Sequence, residues 1–351
     1  MLPRMPASRV NIFTIPASAP FLSVLIDALC AGKLVPGFPA SDDPLALAQA
    51  TIYLPTRRAC RLARDVFLDR LGTDAAILPR IVPLGDIDED EIAFAEAATA
   101  ELAEAALAVP PAIASLERRL LLAELILKWA NSAEVRGAEG SPLIANTPST
   151  ALGLADDLAR LMDDMTTRQV GWDKLDTLVP DELDPYWQLS LRFLKIAREY
   201  WPALRAERGA IESAERRDRL IEAEAKRLAG SDAPVIAAGS TGSMPATAKL
   251  LATIAALPHG AVVLPGLDTH LDEPSWQMIA GKDGDETHDG LPAAGHPQFA
   301  MQALLARIGM NRNEVVRLAE ASPRRSNAGA CRSTIPAAMR SQTRKPGPSR
   351  A

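Results

Sequence analysis

Short apolar runs bounded by turn residues alternate with 3.6-residue periodicity over the first 84 residues, and the same rhythm returns after residue 234. The segment Val10 to Ile15 reads as a first strand and Phe21 to Leu29 as an amphipathic helix. Gly32 to Gln49 is a Pro/Gly/Asp-containing loop with a short helix. Thr51 to Leu54 is β-branched, aromatic and apolar, and reads as a second strand. A helix starts at Arg57, with Ala59, Leu62, Ala63, Val66 and Phe67 at the i, i+3, i+4, i+7, i+8 spacing of one apolar face. Ala76 to Leu84 predicts a third strand whose prolines suit a sheet edge.

From Ala93 to Gly230 the pattern is helical. Ile113 to Ala130 carries Leu116, Leu120, Leu121, Leu122, Leu125 and Ile126 as its apolar residues. Ala151 to Thr166 carries Leu152, Leu154, Leu158, Leu161 and Met162, with Thr147-Pro148-Ser149 as its start. Tyr186 to Arg208 carries Trp187, Leu191, Leu194, Tyr200 and Trp201, and Ile211 to Leu228 is a charged helix with a seam of Leu220, Ile221 and Leu228. The Trp and Tyr positions fit a helical core better than a ligand platform. Strands resume at Pro234 to Gly239 and Ala261 to Leu264, separated by a helix over Ala246 to Leu257. A helix over Gln298 to Ile308 and a short element over Glu314 to Ala319 follow. The order predicts an α/β fold with a parallel sheet and a large all-α insertion. Its parts are 1–92 (α/β), 93–230 (inserted helices), 231–321 (return of the α/β part) and 322–351 (a disordered basic tail).

The most chemically informative stretch is the turn between the second strand and its helix. Thr56 is placed to cap the helix, and Arg57 and Arg58 occupy its first turn, with Arg61 and Arg64 behind them. A helix N-terminus favours acids, so arginines there oppose the dipole by about 0.3–1 kcal/mol. Free N–H groups beside guanidinium forks suit a phosphate, and Thr56, Arg57 and Arg58 are the candidate nucleic-acid contacts. The alternative is a solvated arginine face in a chain that uses 30 Arg against 8 Lys.

Other stretches carry weaker chemistry. Pro16-Ala17-Ser18-Ala19-Pro20 stands where a nucleotide-binding unit places its phosphate cradle, yet it has no glycine and no Lys-Ser/Thr pair, and its prolines remove N–H donors. Asp86, Asp88 and Asp90 start like a calcium loop, but Glu91 and Ala97 stand where Gly and Glu are required, so an acidic helix start fits better. Gly239-x-x-Gly242 resembles a phosphate loop loosely and suits a tight turn equally. Asp268, His270 and Asp272 alternate as on one strand face, without a fourth metal ligand nearby. No cofactor or metal is expected.

Charge refines this picture. The net charge is −6, but Ser322 to Ala351 holds seven basic and no acidic residues, leaving 31 basic against 44 acidic side chains in the first 321, a net of −13. A body that acidic does not attract nucleic acid as a whole, so any such contact is a local patch. No apolar run reaches 18 residues, the prolines of the N-terminal stretch spoil a secretory leader, and the three scattered cysteines (Cys30, Cys60, Cys331) form no metal or disulfide pattern. A cytoplasmic protein without a membrane partner is expected.

Several stretches in order resemble the N-terminal part of the AddB family, alphaproteobacterial type. They are Phe13-Thr14-Ile15-Pro16 with Ala19-Pro20-Phe21-Leu22, and Leu54-Pro55-Thr56-Arg57-Arg58-Ala59. Leu78-Pro79-Arg80-Ile81 with Pro83-Leu84-Gly85-Asp86, Ala238 to Ser243, and Val263 to Asp268 complete the set. The resemblance spans roughly Val10 to Ala319. It implies a superfamily-1 helicase-like fold that has lost its ATP site, in a subunit that partners AddA in double-strand-break repair and recombination. It also implies that the Pro-Thr-Arg-Arg segment lies near DNA, as a single strand or duplex end. The family's nuclease domain, with its four-cysteine iron–sulfur cluster and Gly-x-x-Asp-Arg-x-Asp signature, has no counterpart in these residues. The chain is therefore expected to be a truncated fragment without nuclease activity, its residues after Ser326 read out of frame; a basic DNA-binding arm is the alternative for them. Three functions compete: a noncatalytic scaffold holding DNA and AddA, an independent nucleotide-dependent enzyme using Gly239 to Ser243, and an inert product.

Overall fold

The computed structural model describes residues 11–39, 45–73, 76–84, 109–132, 147–176, 185–281 and 290–320. Its strands are β1 (Ile12–Ile15), β2 (Thr51–Leu54), β3 (Arg80–Pro83), β4 (Val235–Ala238), β5 (Gly260–Pro265) and β6 (Val316–Arg317). They form one six-stranded sheet in the order β3-β2-β4-β5-β1-β6, and every pairing is parallel. The proline-flanked β3 is an edge, as its sequence predicts, because Pro79 and Pro83 lack the N–H donors of an interior strand. The two-residue β6 forms the other edge.

Successive strand residues serve opposite layers. Phe13, Ile15, Ile52, Leu54, Ile236, Ala238, Ala261 and Val263 pack under α1 (Phe21–Cys30) and α2 (Arg57–Leu71). Ile12, Tyr53, Val235, Ala237, Val262 and Leu264 belong to the opposite core. Helices there are α7 (Ser213–Leu228), α8 (Pro245–Ala256), α9 (Glu273–Ile279) and α10 (Phe299–Ile308). A sheet buried on both faces needs apolar residues at consecutive positions, which is why the central strands β4 and β5 read as unbroken apolar runs.

Between β3 and β4 lie the helices of the insertion: α3 (Ser115–Ala130), α4 (Pro148–Arg168), α5 (Pro185–Lys195) and α6 (Trp201–Glu207). Five residues of π-helix, Ile196–Tyr200, join the last two. Leu122, Ala123, Ile126 and Trp129 of α3 bury against Ala151, Ala155, Leu158 and Met162 of α4, with Ile196 and Trp201 closing the cluster. Leu116 and Leu120 depart from the expected core and are 65% and 54% exposed. Leu120 is two residues from Leu122, about 200° around the helix, so both cannot face α4. The insertion rejoins the sheet through α7, whose Ile221, Ala225 and Leu228 enter the sheet's own core. No helix among the described residues is long and apolar enough to cross a membrane. The acidic stretch from Asp86, residues 93–108 of the insertion and the basic tail lie outside the described residues.

Candidate nucleic-acid interface

Thr56, Arg57 and Arg58 stand together at the carboxyl edge of the sheet, where β2 gives way to α2. Thr56 is extended (φ −138°, ψ 156°), and its hydroxyl accepts the amide of Ala59 at 3.1 Å, the cap expected from sequence. At the far end Gly72 takes the left-handed conformation, closing the helix with its N–H on the Leu68 carbonyl. Cys60, Ala63 and Phe67 are the residues of α2 that bury. Leu62, expected among them, is 45% exposed, because it lies two residues, about 200° around the helix, from Cys60 on the buried stripe. Arg57 is half-buried, while Arg58, Arg61 and Arg64 are exposed on the outer side.

Beside this turn the strand ends enclose a crevice of about 320 Å³, lined by apolar residues and backbone. Pro16, Ala17 and Ala19 come from the β1–α1 loop, Phe21 from the start of α1, Pro55 from the β2–α2 turn, Ala59 from the first turn of α2, and Gly239 and Gly266 from the loops after β4 and β5. Parallel sheets bind ligands in this position, outside the carboxyl ends of strands whose helices leave to opposite faces. Here the β1–α1 loop folds as a turn, the Ala19 amide donating to the Pro16 carbonyl at 3.0 Å, and Pro20 at the start of α1 provides no side-chain cap. Proline rings and methyl groups thus occupy the ground a polyphosphate requires for N–H donors. The chemistry on offer is an apolar crevice lined in part by Pro55 and Ala59, the residues that flank Thr56 to Arg58 in the chain.

The other sequence candidates have structural duties. Gly239 (φ +81°) brings its Cα against the Pro55 ring and Phe21, and Gly242 (φ +67°) packs on Leu251 and Leu304. Both glycines therefore serve close packing inside the protein. Residues 268–272 form no strand, contrary to the alternation in sequence. Asp268 accepts the amides of His270 and Leu271 at 2.8 and 3.0 Å, and Asp272 caps α9 by accepting the Ser275 amide at 2.8 Å. That amide and the Ser275 hydroxyl hold the Asp272 carboxyl below its ordinary pKa. The imidazole of His270 meets Arg317 of β6. Among the described residues no group of three or more His, Cys, Asp or Glu side chains could hold a metal ion. Trp129 and Trp201 are core residues, in keeping with their sequence reading, while Tyr200 is 54% exposed; Trp276 is buried as well.

Sequence reasoning missed the buried acids of α7 and its start: Glu212, Asp218 and Glu224. Glu224 accepts the Tyr53 hydroxyl and a two-pronged contact from Arg227, both prongs at 2.8 Å. Burial alone would raise the Glu224 pKa, but Arg227 and the tyrosine hydroxyl outweigh it and hold the carboxyl below its usual range. The Tyr53 phenol is correspondingly pushed up by burial and the adjacent carboxylate. Burial dominates at Glu212 and Asp218, whose carboxyls are raised despite Arg118 and Arg217. The groups that bring Glu212 and Glu224 inside, Arg118 and Tyr53, are remote in the chain, so the local sequence carries no sign of the burial. Comparison with known proteins finds no matching family model and no matching curated protein.

Proposed function

We propose that this chain is a noncatalytic, superfamily-1 helicase-like scaffold of the AddB type, a cytoplasmic partner of an AddA subunit that holds DNA during double-strand-break repair and recombination. The observation that carries the proposal is the Thr56-capped turn, which presents Arg57 and Arg58 at the carboxyl edge of a parallel sheet beside an apolar crevice. The all-α insertion between β3 and β4 and the sequence likeness to that family support the same reading. The competing reading, a nucleotide-dependent enzyme built on Gly239 to Ser243, is disfavoured because Gly239 and Gly242 pack against Pro55, Phe21, Leu251 and Leu304. Pro245 also removes an N–H donor from the first turn of α8.

The test is Arg57→Ala with Arg58→Ala, measuring single-strand DNA affinity against salt. Each phosphate contact on a single strand contributes about −0.7 to the slope of log K against log salt, so losing two should flatten it by about 1.4. Weaker binding with an unchanged slope, or unchanged binding, would reduce the pair to a solvated helix face.

A further inference from the structure

Every carboxylate buried among the described residues belongs to one segment, the start and body of α7. Glu212 stands at its N-cap and forms an ion pair with Arg118 of α3 at 2.8 Å. It also accepts the Trp201 indole N–H and lies 3.9 Å from Arg205, both on α6. Half-way along, Asp218 contacts the guanidinium of Arg217, which in turn donates to the Thr167 hydroxyl of α4 at 3.0 Å. Near the other end Glu224 accepts the Tyr53 hydroxyl from the middle of β2. One helix therefore grips the insertion at its start and the sheet near its end, across about 18 Å for twelve residues at about 1.5 Å each.

Apolar residues would fill these positions at less desolvation cost, so stability alone does not call for them. Acids add discreteness. A slide or rotation of α7 against α3 or α6 parts the buried Glu212 from Arg118 and Trp201. One against β2 breaks the Tyr53 hydroxyl contact to Glu224, whose ion partner Arg227 lies on α7 and moves with it. Each displacement leaves a buried polar group short of a partner. Tyr53 lies one residue before Leu54, which runs directly into Pro55 and Thr56. We infer that α7 is a strut that couples the placement of the helical insertion to strand β2, and through it to the Thr56–Arg58 turn. Its consequence for nucleic acid rests on the function proposed above; the mechanical coupling does not.

Hydrogen exchange on the full-length chain tests this. Glu212→Gln loosens the insertion end of the strut, and amide exchange is expected to rise at least threefold in two places: around α3 and α6, and across Thr51 to Cys60. Repeating the substitution in a Tyr53→Phe background, where the hydroxyl link to Glu224 is absent, should abolish the rise at Thr51 to Cys60 while preserving it in the insertion. A rise confined to the insertion overturns the inference. So does a distant rise that survives Tyr53→Phe, or one spread uniformly over α1 and α10. Should Glu212→Gln fail to fold, Trp201→Phe removes one donor to the same carboxylate and is read identically. If the exchange pattern appears but Arg57→Ala with Arg58→Ala leaves DNA affinity intact, the strut stands and the proposed DNA contact fails.

Discussion

Gly239→Ala distinguishes an internal packing glycine from one reserved for a ligand. At φ +81° an L-residue costs about 1–2 kcal/mol of backbone strain. The added methyl would also sit 3.2 and 3.3 Å from two carbons of the Pro55 ring and 3.4 Å from Phe21. The ring cannot swing aside without moving the β2–α2 turn, and overpacking of this kind costs about 1–3 kcal/mol. The expected total is roughly 2–5 kcal/mol. Gly72→Ala supplies the control, because its φ is +65° and no atom lies within 4 Å of the new methyl. It should cost only the backbone term, about 1–2 kcal/mol. Urea unfolding of the two variants beside the parent measures the difference, provided the m-values agree. If Gly239→Ala destabilises no more than Gly72→Ala, the close approach of Gly239 to Pro55 and Phe21 is wrong. The loop after β4 would then be open to a ligand and the nucleotide reading revived.

Three further outcomes are expected. Calorimetric titration with ATP and Mg²⁺ should show no saturable micromolar binding, since the crevice at the strand ends is lined by Pro16, Ala17, Phe21 and Pro55; such binding would refute the reading of that loop. Thr56→Ala should cost about 1 kcal/mol in a chemical melt through loss of the α2 cap, with Thr56→Ser restoring most of it. Acid titration should separate the buried acids by sign. The depressed Glu224 contributes stability that is present above its unfolded pKa and lost as pH falls through the lower folded value, whereas the raised Glu212 gains stability as pH falls through its folded value. Glu224→Gln should therefore flatten the acid loss of stability below about pH 5, and Glu212→Gln should steepen it. Parallel profiles for the two variants would contradict the assignment.

The features legible in the sequence are those whose physics is local. The Thr56 cap depends on a hydroxyl and an amide three residues apart, so four consecutive residues suffice to place it. Thr51 to Leu54 reads as a strand because Ile52 and Leu54 bury on one face and Tyr53 on the other, so apolar or aromatic side chains stand at consecutive positions. Where an outcome depends on which neighbour arrives, local pattern loses its authority. Leu62 and Leu116 satisfy a helical apolar template but point away from the elements that pack on α2 and α3. Asp268 and Asp272 alternate like strand residues because an amide-accepting turn and a helix cap happen to fall four positions apart.

The buried acids show the limit most sharply. In sequence, Glu224 sits among Glu222, Lys226 and Arg227 and has every mark of a solvated helix face. What makes it a buried group is the hydroxyl of Tyr53, 171 residues earlier, on a strand held between β3 and β4. Glu212 likewise depends on Arg118, which enters from a helix at the other end of the insertion. A carboxylate becomes tolerable inside a protein when paired groups surround it, so its burial follows from tertiary contacts and cannot be read from spacing. In this fold the acids invisible to pattern are therefore the ones that join the insertion to the sheet.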